Sequence, residues 1–127
     1  MRLEPSPQPT VGVEWELQLL DPVTCDLVDG IMPLMEFFPR AEFVKPEYIQ
    51  SCVELNTKVC ADSDEIYRDI AATLAKTVRR CDELEMGLCG AGTHPFCRRL
   101  ALITPLPRYK RIAESAGLLS HVQITFS

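Results

Sequence analysis

The stretch TVGVEWELQL, residues 10–19, alternates almost without lapse. Val11, Val13, Trp15, Leu17 and Leu19 point one way, and Gly12, Glu14, Glu16 and Gln18 point the other. A period of two with one apolar side specifies a strand that buries one face, so the chain must build a sheet and cover it. The other side is the puzzle. Glutamate is depleted in strands, and two carboxylates two residues apart share a face, where they repel unless something positive lies near.

The same alternation returns in IQSCVELNTKVC, with Val53, Leu55 and Thr57 on one side and Cys52, Glu54 and Asn56 on the other. Between the two strands, DPVTCDLVDG reads as a hairpin turned at Asp21-Pro22 and closing near Gly30. IMPLMEFFPRAEFVKPEY is apolar but broken by Pro33, Pro39 and Pro46, which makes it a packed connector without long regular structure. DSDEIYRDIAATLAKTVRRCDELEMG has a helical period: Ile66, Ile70, Leu74, Val78 and Cys81 form the stripe, and Ala71, Ala75 and Leu84 widen it. Asp62 or Ser63 caps its start with Glu65 in support, and Gly87 suits its exit.

GLCGAGTHPF reads as a strand running into a loop at Thr93-His94-Pro95. TPLPRYKRIAESAG is a shorter helix entered through Pro105 and Pro107, with Tyr109, Ile112, Ala113 and Ala116 as its stripe and Gly117 as its end. SHVQITFS alternates again and makes a last strand. The order predicts an α+β fold: a largely antiparallel or mixed sheet, with the long amphipathic helix and the shorter helix packed on one face.

A chain of 127 residues supports one core. Residues 1–9, with three prolines, read as a flexible lead-in, and 10–127 as a single domain. No apolar run approaches the roughly 18 residues that span a bilayer, and the start lacks a secretory core, so a cytoplasmic protein with no membrane partner is expected. The six cysteines include no C-x-x-C pair and read as ordinary thiols. The net charge of −5 argues against nucleic acid as a partner. It divides unevenly: residues 1–65 hold 13 acids and 4 bases, residues 66–127 hold 5 acids and 9 bases. That asymmetry fits either a site with acids facing bases or complementary surfaces within one domain. Neither a G-x-G-x-x-G run nor a phosphate-binding loop is present.

With helices on the apolar side, the polar faces converge: Glu14, Glu16 and Gln18; Glu54 and Asn56; His121, Gln123 and Thr125. Three carboxylates there suit a hard cation such as magnesium. A wet sheet face screened by water fits the same spacing. His94 and His121 each stand alone in their segments, and among Arg98, Arg99, Arg108, Lys110 and Arg111 one or two could meet an anionic ligand. Nothing pairs a cysteine with a base in a recognisable way.

GVEWELQLLDP, VELNTKVC, GTHPF, TPLPRY and a strand opening with His121-Val122, in that order, resemble the N-terminal portion of glutamate–cysteine ligase family 2, the bacterial carboxylate–amine ligases. The resemblance implies a glutamine synthetase-like fold whose antiparallel sheet forms a cradle. It implies joining of a carboxylate to an amine with ATP and magnesium, through an acyl phosphate. On that basis Glu14, Glu16 and Glu54 would hold magnesium against the ATP phosphates, Thr93 and His94 would line the substrate end, and Arg108 and His121 would be catalytic. The chain departs from the family where H-V-H-V-G becomes HVQITFS, putting Gln123 and Thr125 in place of His and Gly. Family domains also continue well past this point, so the chain reads as truncated. It is then either a ligase domain needing more protein, with amino acid and ATP as substrates, or a relative without catalysis serving as a binding or assembly module. An unpaired last strand would favour a homo-oligomer.

Overall fold

The structure, a computed structural model, describes residues 8–39, 42–97 and 101–116. Its elements run β1 (Glu14–Leu20), α1 (Ile31–Glu36), β2 (Val44–Pro46), β3 (Cys52–Asn56), α2 (Ser63–Glu83), β4 (Gly87–Cys89) and α3 (Pro107–Ala116). The strands form one sheet in the order β2-β3-β1-β4, and every neighbouring pair is antiparallel. The α+β expectation therefore holds, with an antiparallel sheet. Among the described residues no helix is long and apolar enough to cross a membrane.

The alternation in β1 and β3 decides which face is buried. Leu17, Leu19, Val53 and Leu55 join Val44 of β2, Ile31 and Leu34 of α1, and Cys81 and Met86 in one core. Trp15, Ile70, Leu74, Leu84 and Leu88 pack against it. Leu19, Ile31, Leu34, Val53 and Leu55 are wholly inaccessible to solvent. Each such side chain contributes about 1.5–3 kcal/mol relative to exposure.

The connector is more ordered than its prolines suggested. Pro33 sits in the first turn of α1, where its missing N–H would have had no helical partner. Pro46 ends β2, an edge strand, where a lost donor is tolerated. The hairpin after β1 is real but minimal: Asp21 Oδ1 accepts from the amides of Val23 and Thr24, both at 2.8 Å, and Leu20 bridges Leu27. Cys25 takes a left-handed φ of 58° to close it.

In α2, Asp62 is the N-cap and accepts from Glu65 N at 2.9 Å, while Glu65 Oε2 accepts from Ala61 N at 2.9 Å. The exit is made by Glu85 at φ 54° rather than by Gly87, which already belongs to β4. The buried stripe differs from the one predicted: Thr77 is fully buried, whereas Val78 is 39% exposed and Ala75 is also exposed. At 100° per residue, Val78 lies about 80° from the line through Ile70, Leu74, Cys81 and Leu84, and Thr77 about 20°. Thr77 is accommodated because its hydroxyl donates to Thr73 O at 3.0 Å.

The shorter helix, α3, does not join α2 on its face. It starts at Pro107, and the segment leading to it is stitched to residues 46–50: Thr104 N donates to Tyr48 O at 2.9 Å, Thr104 Oγ1 to Glu47 O at 2.6 Å, and Gln50 N to Leu102 O at 2.8 Å. Tyr109 is buried and donates to Pro46 O at 2.7 Å, whereas Ile112 of the expected stripe is 42% exposed. This sets the start of α3 beside the acidic face, opposite α2. The strand expected over 121–126, the end at Gly117 and the strand-edge association drawn from them lie outside the described residues.

Candidate functional site

Register builds the site. Glu16 of β1 stands directly across from Glu54 of β3, and Lys45 of β2 stands across from Glu54 on its other side. Three charged residues thus form one rung on the face turned away from the core. One pair along, Glu14 faces Asn56; in the other direction, Gln18 faces Cys52. Glu47, two residues after Lys45, returns to the same face just past the end of β2. Carboxylate oxygens of Glu16, Glu47 and Glu54 all lie within 4.8 Å of one another, on half-buried side chains.

This face is not an open, wet one. Gln18, Cys52 and Asn56 are buried. The loop after β4 is tied to the sheet by Gln18 Nε2 donating to Ala91 O at 3.0 Å, and the segment before α3 is tied along β2. Between β2, β3 and α3 lies a cleft of about 320 Å³ whose walls include Glu14, Lys45, Glu47, Glu54, Arg108 and Tyr109. Glu16 adjoins it on the sheet. Arg108 rests with its guanidinium carbon 5.4 Å from the Tyr109 ring centre.

The crowding leaves its mark on protonation. Burial raises the Glu16 carboxyl above the ordinary range, and the charges of Glu54 and then Glu14 raise it further. Burial likewise raises Glu47; the Tyr48 amide opposes this, and Glu16 and Glu54 add to it. Beneath them the Cys52 thiol is pushed up to about 12, first by burial and then by Glu16, Glu47 and Glu54. Cys52 is therefore a thiol at neutral pH and no nucleophile. Burial, then Glu47, raises the Tyr109 phenol too, and its hydroxyl is already committed to Pro46 O.

The donor set is chemically specific. Three convergent carboxylates offer only hard oxygen ligands, and two of them are held in surroundings that disfavour their charge. Magnesium and similar hard ions match such a set; soft metals do not.

Of the expected residues, Glu16 and Glu54 meet in the cluster and Arg108 reaches the cleft from α3. Glu14 is exposed at the cleft wall and lies outside the tight group of three, whose third member is Glu47. Glu47 lies in the connector, where the only signal that could have found it is the spacing of Lys45 and Glu47 about Pro46. Thr93 and His94 stand apart from the cleft, in the loop after β4. There His94 Nδ1 accepts from Cys97 N at 3.0 Å, so its Nε2 carries the proton and donates to Cys25 O at 2.7 Å. Thr93 is exposed in the same loop. His121 lies outside the described residues.

Comparison with known proteins gives a consistent picture. The profile of glutamate–cysteine ligase family 2 (GCS2) matches residues 10–127. A Trichormus variabilis protein named provisionally as glutamate–cysteine ligase 2 is 42% identical over 120 residues, covering 94% of this chain and 31% of the relative. A Gloeobacter violaceus protein of the same name is 38% identical, covering 86% and 31%, and one from Thermobifida fusca is 35% identical, covering 99% and 33%. The chain thus spans about a third of the length of these curated relatives. With a profile matched across nearly its whole length, the chain belongs to glutamate–cysteine ligase family 2.

Proposed function

We propose that this chain carries the cation- and phosphate-facing wall of an ATP-dependent carboxylate–amine ligase of the glutamate–cysteine type. The observation that carries the reading is the convergence of Glu16, Glu47 and Glu54 within 4.8 Å beside a cleft whose far wall holds Arg108. Family membership and the relatives' names support the reaction class.

Glu16, Glu47 and Glu54 would hold magnesium, with Glu14 at the rim as an outer carboxylate. When bound, the metal would neutralise charge on the ATP phosphates and favour transfer of the terminal phosphoryl group to a substrate carboxylate, giving the acyl phosphate that the amine attacks. Arg108 offers a planar, permanently charged fork for a phosphate or a substrate carboxylate. Tyr109 positions that arginine: its hydroxyl fixes α3 to the end of β2 while its ring lies under the guanidinium. In this reading the 91–97 loop, with Thr93 and His94, would border the substrate end. The hydrogen bonds of His94 make it a strut of that loop, leaving the exposed Thr93 to face ligand.

Calorimetric titration of the chain with magnesium, alone and with ATP, tests the reading. Binding is the readout rather than turnover, because the chain spans about a third of its relatives' length. Glu16→Gln and Glu47→Gln are each expected to weaken magnesium binding by roughly tenfold or more, the scale on which even outer partners matter at metal sites. Unchanged binding in both variants would remove the cation from this cleft.

A further inference from the structure

Three carboxylates with oxygens within 4.8 Å of one another repel unless positive charge lies near, and the chain supplies one itself. Lys45 Nζ lies 3.5 Å from Glu54 Oε1 and donates to Asn56 Oδ1 at 3.0 Å. Asn56 Nδ2 in turn donates to the same Glu54 oxygen at 2.5 Å. Among the described residues no other lysine or arginine forms an ion pair with the cluster; the remaining pairs, Lys58–Asp69 and Arg80–Glu83, lie elsewhere. The Lys45 side chain is 45% exposed, whereas that of Glu54 is 14% exposed.

We propose that Lys45 is a built-in counter-cation of this cluster, held on Glu54 while the site is empty and displaced from it by a divalent cation. The exposure difference makes the exchange feasible. The ammonium approaches from the solvent side on a flexible four-carbon stem, so it can return to water without disturbing the core, while Glu54 stays in place through Asn56. A monovalent ion would only repeat what Lys45 already contributes. A divalent ion brings more charge to all three carboxylates, so the lysine biases the site toward divalent ions. Lys45 thereby sets affinity: it lowers the cost of the empty site and opposes occupancy through repulsion.

The inference rests on the cation reading above, and the two fail separately. Wild type, Lys45→Met and Lys45→Arg are compared by thermal melting in EDTA and by calorimetric titration with Mn²⁺. Methionine keeps the length of the stem without the charge; arginine keeps the charge. In EDTA, Lys45→Met should melt below wild type and Lys45→Arg close to it, and Mn²⁺ should bind Lys45→Met more tightly by on the order of tenfold, as expected for one and two unit charges a few ångström apart in water-like surroundings. A Lys45→Met variant that melts with wild type in EDTA, or binds Mn²⁺ no more tightly, overturns the proposal. If wild type binds no Mn²⁺ the cation reading falls, and the melts in EDTA still judge Lys45 as a counter-cation.

Discussion

Cys52 and Cys25 show how one residue type is assigned different chemistry by its neighbours. Cys52 is 2% exposed and faces the carboxylates that, with burial, push its thiol up to about 12. Cys25 is exposed in the turn after β1. Native labelling with iodoacetamide, read by peptide mass spectrometry, should modify Cys25 and leave Cys52 and the buried Cys81 unmodified until the chain is unfolded. Labelling of Cys52 at the rate of Cys25 would contradict both its burial and its protonation. Composition and spacing were enough to read these thiols as ordinary ones, since Cys25, Cys52, Cys60, Cys81 and Cys89 are all free. The acids were legible only in part. Glu16 and Glu54 could be read from alternation because each lies inside a strand, but their partner Glu47 lies past Pro46, where a strand signal ends. Glu14 satisfied the same alternation as Glu16, yet its place at the exposed start of β1 keeps it at the rim.

At the level of elements, the long helix was the most legible because its 21 residues average over single-position errors. The misplacement of Val78 for Thr77 follows from reading hydrophobicity alone. A threonine that returns its hydroxyl to the helix backbone can lie in the core, and a valine at the flank need not. Two substitutions distinguish the stripes: Val78→Gln should change stability by no more than about 0.5 kcal/mol, and Thr77→Gln should destabilise by about 1–3 kcal/mol through overpacking and a buried amide. Asp62→Ala should remove about 1 kcal/mol by taking away the N-cap acceptor for Glu65 N. Urea titration measures all three, and equal losses at positions 77 and 78 would restore the stripe expected from sequence. The shorter helix was found, but its face was not. Its side of the sheet is fixed by hydrogen bonds between residues 102–109 and 46–50, contacts distant in sequence that carry no periodic signal.

For the molecule as a whole, the uneven charge of the two halves has a structural counterpart. Glu16, Glu47 and Glu54 all come from residues 1–65, and Arg108, from the basic half, faces them across the cleft. Gathering those acids gives stability a definite dependence on pH. In the folded chain Glu16 and Glu47 are raised above the ordinary value of 4.5, so between 4.5 and their folded values the folded state binds more protons than the unfolded one. Their contribution is present in full below 4.5 and is lost as pH rises through the raised values, so stability without metal should fall over that range. Asp21 acts in the opposite sense. The amides of Thr24 and Val23 hold it below its ordinary 3.8, so its contribution is lost only in stronger acid, outside this window. On the cation reading proposed above, a divalent ion would replace the protons on Glu16 and Glu47 as the charge that keeps the cluster together, so its stabilising effect should grow with pH. Thermal melts at about pH 5 and about pH 7.5, in EDTA and in saturating magnesium, should therefore show a gap between the two conditions that widens at the higher pH. A gap that stays constant would mean that the three carboxylates do not bind magnesium, and stability in EDTA that climbs between those two values would mean that Glu16 and Glu47 do not govern its pH dependence.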